Sequence, residues 1–460
     1  MVPVRVKNIM WKWPRRIIKS HRITHKIALR ISRIPAIYRI YHRLEVEREF
    51  QRRINQINPA RYLDTKCKPN LNVIILVVDS LRNSRLSSQG YFRETTPFLD
   101  SLETRFTAIS ASPWTYPSVA SILTGLYPHN HNAIISGDIK RMDRLENFQK
   151  LGKDILTLPE MLFLLGHRIY FGTAIGPASD ALKSRIIPKE YPPSSRADDL
   201  LSDLTKWISK NGKRKFFAYV QFADLHIPLN PPDSFRHFFG DVKDLSKPGF
   251  YNWELLYDNS LRYVDSTIER LFHFLKDNVN MDRTIVVVTG DHGEEFSEHG
   301  ELEAGSFYDQ RGFYGMGHGH NVFNEIIQVP LIMSGPVPDR KSAHLVSTVD
   351  IMPTVVDLLG ITHNIRFDGV NIFEAQGERA LLSEASGYGH EKKALIIGRY
   401  KLVYSKGDGI EWVFDLEKDP QEQHPIMDKE VTSVFVDKLH QILREDEKRK
   451  IREIAGKKSL

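Results

Sequence analysis

The feature that most constrains the fold of this chain is a series of short apolar runs rich in β-branched residues. The clearest is Val73–Val78, a continuous run typical of a strand buried on both faces of a parallel sheet. Four further strands are predicted, at His167–Gly172, Lys215–Phe222, Arg283–Thr289 and Val329–Met333. Helical patterns lie between and after them, at Thr157–Gly166, Tyr251–Leu275 and Val349–Gly360. This alternation predicts an α/β fold in which helices cover both faces of a mostly parallel sheet.

The pattern changes toward both ends of the chain. From residue 379 short strands and turns alternate, which predicts a small antiparallel subdomain at 379–425, followed by a charged helical tail at 426–460. The α/β domain is expected to span 69–378 and a basic helical arm 1–68. Within residues 1–60 the arm carries 15 Lys and Arg against 3 Glu, a net charge of +12 in a chain whose total is +7.

The basic arm lacks the usual signals for crossing a membrane. It has no uninterrupted apolar run near the roughly 18–20 residues of a transmembrane helix, and Lys and Arg interrupt any signal-peptide core. Its apolar residues recur at helical spacing, which suits a basic amphipathic helix on an anionic membrane surface. The alternative is a helix packed on the body with its basic face in water. Cys67 is the single cysteine, so there is no internal disulfide. We expect a cytoplasmic protein with optional peripheral membrane contact through residues 1–60, and nucleic acid is not expected as a partner.

Acidic and imidazole side chains follow three of the predicted strands at the point where each strand ends. Asp79 follows the first run, His226 lies just beyond the third, and Asp291 and His292 follow the fourth between two glycines. Open α/β sheets place their sites at the carboxyl ends of strands, which favours a functional role for these residues. The structural alternatives are a helix N-cap for Asp79, a packed histidine in a proline-rich loop for His226, and an ordinary turn for the Asp-His pair.

The stretch Ser112–His131 predicts a short helix that begins after a proline-containing turn. Ser118 is its expected N-cap and Gly125 its end. Thr115 then lies just before the helix, where free N–H groups and the helix dipole favour an anion. A hydroxyl in this place is a nucleophile if a cation lowers its pKa, and otherwise it is a second capping residue.

These side chains form one candidate constellation, because they lie on the same predicted edge of the sheet. An oxygen-rich set for one divalent ion is formed by Asp79, Thr115, Asp291 and His292. The oxygen donors suit Mg, Ca or Mn, and the histidine also admits Zn. His226 and His318 are candidates to bind the other oxygens of an anion or to protonate a leaving group. His318 belongs to the glycine-rich segment Gly315–Asn321, predicted as a flexible rim that also presents His320, and a solvated loop is the alternative there.

Seven motifs between about residues 70 and 422 resemble the sulfatase family of the alkaline-phosphatase-like superfamily, and they stand in family order. They are V-V-D-S-L-R (77–82), T-Y-P-S-V-A-S-I-L-T-G-L-Y-P-H (115–129), H-I-P-L-N-P-P (226–232), T-G-D-H-G-E (289–294), H-G-H-N-V-F-N-E-I-I-Q-V-P-L-I (318–332), V-D-I-M-P-T (349–354) and F-D-L-E-K-D-P-Q-E (414–422). The resemblance implies a metal-dependent hydrolase or transferase acting on sulfate or phosphate esters. It also implies that the metal is bound by Asp79, Asp291 and His292, and that Thr115 holds the position of the nucleophile.

Several positions depart from the family pattern. In the sulfatase family the nucleophile motif is C/S-x-P-S-R, and its Cys or Ser is oxidised to formylglycine. This chain has Thr115-Tyr-Pro-Ser-Val119 at the corresponding position. The same oxidation of threonine would give a ketone, so no formylglycine is expected, and Val119 replaces the arginine. The family's anion-binding lysine segment is replaced near Ala174–Pro177. Cys67 lies in a C-x-P sequence, but it precedes the first strand and lacks the following arginine.

Relatives that use threonine at this position are phosphodiesterases and the phosphoglycerol and phosphoethanolamine transferases. The prediction is therefore a sulfatase-like, metal-dependent hydrolase or transferase in which metal-activated Thr115 attacks a sulfate or phosphate ester of a glycan, lipid or small molecule. Threonine favours phosphoryl chemistry, and the overall pattern favours sulfate esters. Two alternatives are a non-catalytic member that binds anionic glycans or lipids, and a membrane-surface scaffold dominated by the basic arm.

Overall fold

The computed structural model describes residues 35–64, 66–67, 69–242, 250–339, 344–375 and 377–458. The chain divides into two compact units, the first comprising residues 1–58 with 184–187 and the second 59–183 with 188–460. The described part of the first unit contains helix α1 (Pro35–Gln56). The helical spacing predicted for the basic arm begins before Pro35, and that part of it lies outside the described residues. No helix in the described ranges combines the length and the hydropathy needed to cross a membrane.

The strands of the second unit are β1 (Asn72–Val78), β2 (Thr104–Ile109), β3 (Ile139–Arg141), β4 (Arg168–Thr173), β5 (Lys189–Glu190), β6 (Phe216–Phe222), β7 (Thr284–Gly290), β8 (Glu295–Phe296), β9 (Met316–Gly317), β10 (Gln328–Ser334), β11 (Val346–Ser347), β12 (Leu381–Ser383), β13 (Tyr388–His390), β14 (Lys393–Ile397), β15 (Tyr400–Ser405) and β16 (Ile410–Asp415). Eight of them form one sheet in the order β11-β2-β10-β7-β1-β6-β4-β5. The five strands from β7 to β5 are parallel, whereas β10 is antiparallel to both neighbours. The predicted α/β fold with a mostly parallel sheet is confirmed.

The helices of the second unit are α2 (Pro97–Ser101), α3 (Thr115–Thr124), α4 (Pro128–His131), α5 (Leu158–Leu164), α6 (Gly176–Ala181), α7 (Ala197–Asn211), α8 (Asp233–Arg236), α9 (Phe250–Asn278), α10 (Gly300–Ser306), α11 (Asn324–Ile327), α12 (Ile351–Leu358) and α13 (Lys429–Lys458). Local sequence explains several boundaries. Helix α5 starts with a capping box, in which the Thr157 hydroxyl accepts from the Glu160 N–H and the Glu160 carboxylate accepts from the Thr157 N–H.

Helix α3 begins four residues earlier than the sequence predicts, because its N-cap is Trp114 instead of Ser118. Thr115 is its first residue rather than the residue before it, and Ser118 is not the N-cap. Instead, the Ser118 hydroxyl donates to Ser112 O at 2.8 Å. Pro117 fits the first helical turn because backbone N–H groups have no helical partner there. The predicted end is confirmed, since Gly125 has a left-handed φ of 67° just after the helix.

A second sheet, in the order β12-β14-β15-β16, is antiparallel and lies near the C-terminus. Successive residues of β14 belong to different buried clusters, because side chains alternate between the two faces of a strand. Ala394 and Ile396 pack in one cluster with Phe323, and Leu395 packs in another with Leu439 of α13. The antiparallel C-terminal sheet that the sequence predicts is confirmed.

Candidate active site

The polar residues that follow the central strands meet at one edge of the large sheet. Strand β1 lies between β6 and β7, and its register pairs Val77 with Gln221 and Val78 with Gly290. Asp79 is the first residue after β1, and Asp291 is the first after β7. The parallel register therefore brings both aspartates and Gln221 to the same level of the sheet.

Thr115 approaches this edge from the N-terminus of helix α3. Its hydroxyl donates to Asp79 Oδ2 at 3.1 Å and lies 3.2 Å from His292 Nε2. His292 Nδ1 donates to Gly293 O at 2.8 Å, so in the neutral ring Nε2 keeps its lone pair on the side of Thr115. Only 4% of Thr115 is exposed. The hydroxyl is thus buried, oriented and close to groups that can take its proton.

Asp79, Asp291 and His292 form a compact set of potential metal ligands. Each offers a ligand atom, these atoms all lie within 4.8 Å of one another, and all three side chains are fully buried. Burial and the neighbouring charge of Asp79 raise the pKa of Asp291 well above its usual range. Burial raises the pKa of Asp79 as well, but the nearby imidazoles of His292, His226 and His318 outweigh burial and lower it. Among the described residues neither carboxylate bonds a Lys or Arg, so a cation here would favour the ionised form of Asp291. The oxygen-rich donor set fits calcium or magnesium.

Gln221 is a site residue that the sequence analysis missed. Its Nε2 donates to Asp79 Oδ2 at 3.0 Å and to Asp291 Oδ2 at 2.9 Å, so one neutral amide bridges the two carboxylates. Its polarity could have identified it in the sequence, because Gln221 is the one side-chain amide in the apolar run Phe216–Phe222. A buried amide in a central strand needs partners, and its penultimate position in the strand aims it at the functional edge.

Glu294 was also missed, and it connects the edge of the sheet to the glycine-rich segment. Its Oε2 accepts from Ser80 Oγ at 2.8 Å and lies 2.9 Å from His318 Nδ1. Its Oε1 is buried and has no hydrogen-bond partner among the described residues. The motif Gly290–Glu294 contains this residue, but its spacing alone does not show that the carboxylate turns toward His318.

Three imidazoles, those of His226, His292 and His318, lie together at the site. The ring centroids of His292 and His318 are 4.2 Å apart, and those of His226 and His318 are 5.1 Å apart. His226 Nδ1 donates to Ile227 O, which leaves Nε2 for a ligand. Burial alone would lower the pKa of His226, but the charges of Asp79 and Glu294 raise it above the usual value. The structure therefore brings all six sequence-predicted site residues together.

His320 does not belong to this group of imidazoles, and its part in the predicted flexible rim is wrong. It is buried and lies 2.8 Å from Glu295 Oε2 and 3.3 Å from Glu303 Oε1. Burial lowers its pKa, but the two carboxylates outweigh burial and raise it to about 10. Gly319 has a left-handed φ of 81°, so the chain turns between the two histidines. His318 therefore lies at the candidate active site, whereas His320 lies in a separate buried ion cluster.

The positions where the family pattern has an arginine and a lysine carry no positively charged side chain in this chain. Val119 is fully buried in helix α3, and Ala174 and Ile175 are buried at the end of β4. Cys67 donates to Gly360 O at 3.1 Å and lies before β1, at the opposite end of that strand from Asp79.

The fold is alkaline-phosphatase-like, and its site is a buried set of potential metal ligands beside the hydroxyl of Thr115. The Sulfatase family model matches residues 71–361, which is more than half of the chain. The chain therefore belongs to the sulfatase family.

Curated relatives and solved structures agree with this assignment. An arylsulfatase of Clostridium perfringens is 21% identical, over 81% of this chain and 93% of the relative. The solved phosphonate monoester hydrolase of Agrobacterium radiobacter has a TM-score of 0.62 at 18% identity, covering 82% of this chain and 95% of that one. BT4656, solved with its substrate D-glucosamine-2-N,6-O-disulfate, has a TM-score of 0.61 at 16% identity, covering 82% and 98%. The structural likenesses show the fold, and the named relatives include sulfuric ester hydrolases.

Two further relatives are extracellular sulfatases, the Sulf-1 homologues of Caenorhabditis elegans and Drosophila melanogaster. They are 24% and 22% identical, over 66% and 65% of this chain. The chain spans only 48% and 31% of their respective lengths. The expectation of a cytoplasmic protein is wrong against these relatives. That expectation rested on the absence of a signal-peptide core from the basic arm, and neither the fold nor the site bears on localisation.

The expectation that no formylglycine is used is also contradicted. Sulfatase-family homologues of this chain are formylglycine-dependent and use a calcium or magnesium ion. The error was to infer cofactor use from the side chain type at position 115 alone. In the structure this position is buried, lies at a helix N-terminus and contacts Asp79 and His292, two of the potential metal ligands. The ions that these homologues use, calcium and magnesium, are two of the four that the sequence admits for this chain.

Proposed function

We propose that this chain is a calcium- or magnesium-dependent hydrolase of sulfate esters, with residue 115 as its nucleophile. The observation that carries the proposal is the contact of Thr115 Oγ1 with Asp79 and His292 inside a buried set of metal ligands. Membership of the sulfatase family and the arylsulfatase relatives support the same activity.

The proposed ligands of the metal are Asp79, Asp291 and His292. A bound calcium or magnesium ion would neutralise the two carboxylates and lower the pKa of an adjacent hydroxyl. Gln221 positions both carboxylates, since its amide bridges them. The same amide carries no charge, so it leaves the attraction between the carboxylates and a cation intact.

In the proposed reaction Thr115 Oγ1 attacks the sulfur of the ester while its proton moves toward Asp79 Oδ2, the atom that accepts its hydrogen bond. The bond from sulfur to the ester oxygen breaks, and the leaving alcohol takes a proton from His226. Burial and the neighbouring imidazoles of His292 and His226 lower the pKa of His318, which suits His318 to binding the sulfate rather than to protonating the alcohol. Water then releases sulfate from residue 115. His226 suits the role of proton donor because its Nδ1 donates to Ile227 O, which leaves Nε2 for the leaving group.

The proposed substrate is an anionic glycan sulfate. The structural neighbour BT4656 was solved with a disulfated glucosamine, and the two Sulf-1 homologues are extracellular sulfatases. The pair of imidazoles from His226 and His318 offers hydrogen bonds to the non-reacting oxygens of the sulfate.

A second candidate function is hydrolysis or transfer of phosphate or phosphonate esters. Two observations favour it: position 115 encodes a hydroxyl side chain, and the phosphonate monoester hydrolase shares the fold over most of both chains. The same residues would act in the same order, because a phosphoryl centre also needs an in-line nucleophile and charge stabilisation on its outer oxygens.

A substrate panel distinguishes the two functions. Wild type and Thr115→Ala are assayed on 4-nitrophenyl sulfate, 4-nitrophenyl phosphate, a phosphodiester and a phosphonate monoester, each with calcium or magnesium. We expect the highest kcat/KM on the sulfate, and its loss in Thr115→Ala. Preference for a phosphorus ester would establish the second function, and activity that persists in Thr115→Ala would overturn the role of residue 115 in both.

A further inference from the structure

We propose that Arg311 forms a binding subsite for a second anionic group, a sulfate or carboxylate, on the substrate whose sulfate ester is cleaved at the candidate active site. This inference rests on the proposed function and adds a substrate class to it, namely saccharides that carry a second negative charge near the scissile ester.

The Arg311 guanidinium is held in place before any ligand arrives. Asp309 Oδ2 accepts hydrogen bonds from its Nε at 2.9 Å and from its Nη2 at 2.6 Å. The guanidinium carbon also lies 4.5 Å from the ring centroid of Phe313 and 4.3 Å from that of Tyr388. Because the fork and the rings fix its orientation, Arg311 loses little conformational freedom when it binds an anion.

One nitrogen of this guanidinium is left over. Nη1 makes no hydrogen bond to any residue that the structure describes, and the side chain is 15% exposed. A guanidinium has five N–H donors, so the hydrogen bonds from Nε and Nη2 to Asp309 leave other donors unused. The remaining N–H groups of Nη1 are the ones available to an acceptor oxygen of a ligand.

Nη1 lies next to the candidate active site. It is 3.7 Å from the point that a β-carbon would occupy at Gly317, the residue before His318, and the unpartnered Glu294 Oε1 is 3.5 Å from that same point. The other oxygen of Glu294 lies 2.9 Å from His318 Nδ1. Arg311 and His318 therefore both lie close to Glu294, and His318 is the imidazole that we propose contacts the scissile sulfate.

The surface around Arg311 fits a sugar ring that carries an anion. Phe313, whose ring lies against the guanidinium, is 50% exposed although it is a large apolar side chain, and Tyr388 is partly exposed. Tyr388 is tied to the glycine-rich segment, since its N–H donates to Gly319 O at 3.1 Å. Exposed rings beside a rigid guanidinium offer a face for the pyranose and a charged donor for its substituent.

A kinetic comparison tests the subsite with a matched pair of substrates. Glucosamine 6-O-sulfate and glucosamine 2-N,6-O-disulfate differ by one anionic group, and a monosulfated disaccharide with a uronic acid tests the carboxylate. In Arg311→Ala we expect KM for the two substrates with the extra anion to rise roughly ten- to hundredfold more than KM for the monosulfate, the size of one charge-assisted hydrogen bond. Arg311→Lys should recover part of this difference.

Arg270→Ala is the control, because Arg270 lies on helix α9, pairs with Asp198 on the surface and has a side chain that is 53% exposed. It should keep the wild-type ratio between the substrates. An equal loss on all substrates in Arg311→Ala would overturn the subsite, since it would mean that Arg311 contacts the scissile sulfate, a neutral hydroxyl or only the fold.

A binding arm separates failure of the subsite from failure of the proposed hydrolysis. Calorimetry in the Thr115→Ala background, with and without Arg311→Ala, measures Kd for the same three saccharides without turnover. If wild type cleaves no sulfate ester, the proposed function fails, while a selective loss of affinity for the substrates with the extra anion still supports the subsite. No selective loss in this arm overturns it.

Discussion

The hydroxyl of Tyr219 donates a 2.7 Å hydrogen bond to Gln221 Oε1 and thereby fixes which end of the Gln221 amide faces the buried carboxylates. The amide nitrogen then points at Asp79 and Asp291. Both residues lie on β6 two positions apart, so the pair belongs to one face of a buried strand. The arrangement holds two like charges together without neutralising either.

Replacing Gln221 by Leu should weaken metal binding. The two carboxylates lose their shared donor, and removal of such a positioning group typically costs about 10- to 100-fold in metal affinity. Calcium affinity is measured by calorimetry on the full chain. Tyr219→Phe removes only the hydroxyl that orients the amide and should cost less than Gln221→Leu. Wild-type affinity in Gln221→Leu would mean that the carboxylates are positioned by the strands alone.

The structure also predicts a single tightly bound ion in the described part of the chain. Three groups of His and acidic residues have the spacing of a metal site, but in two of them a histidine with a raised pKa already supplies a positive charge to the carboxylates. Asp291→Asn should therefore abolish binding of one calcium per chain, whereas Glu303→Gln should leave that stoichiometry at one. Metal analysis after dialysis checks both, and a loss of the ion in Glu303→Gln would place the site in the other cluster.

Much of the fold and part of the site can be predicted from the sequence, and there are physical reasons why the rest of the site cannot. Strand β1 and the pair Asp291-His292 are predictable because continuous apolar runs and strand ends depend on local pattern. Gln221, Glu294 and Arg311 are not, because their roles depend on what a side chain meets across the sheet or between loops. The start of α3 was placed too late because Ser118 has capping chemistry, yet its hydroxyl bonds back to Ser112.

Thr115→Ala should lower kcat by about three orders of magnitude or more, the size expected when a nucleophile is removed. Thr115→Ser keeps a hydroxyl and should retain more activity. Thr124→Ala is the matched control, because Thr124 is buried in the same helix and its hydroxyl donates only to Ala120 O. Peptide mass analysis of wild type quenched during turnover should show an adduct on residue 115, and an adduct elsewhere would contradict its role.

The pH dependence of stability should report the buried pair of His299 and Glu325. Burial lowers the pKa of His299, but its 2.6 Å contact with Glu325 outweighs this and raises the pKa to about 9. The stabilising charge is fully present below the unfolded value of about 6.5 and is lost as the pH rises to about 9. Wild type should therefore exceed His299→Gln in unfolding free energy by on the order of 2 kcal/mol at pH 6, with the gap closing by pH 9. Urea unfolding across this range, with calcium in excess, measures the gap, and a constant gap would rule out the ionised pair.

Gly293 sets how closely the loop that carries Asp291 and His292 approaches Glu325. A β-carbon at position 293 would lie 2.0 Å from Glu325 O, a backbone atom that cannot move aside alone. Gly293→Ala should therefore destabilise the fold by about 2 kcal/mol or more and displace His292, which lowers calcium affinity as well. Gly305→Ala is the control, because nothing lies within 4 Å of its β-carbon position in α10, and a helical alanine should stabilise by about 0.5–1 kcal/mol. Equal unfolding free energies for Gly293→Ala and wild type would show that the loop shifts freely, and the metal ligands would then owe their positions to the strand ends rather than to this close backbone contact.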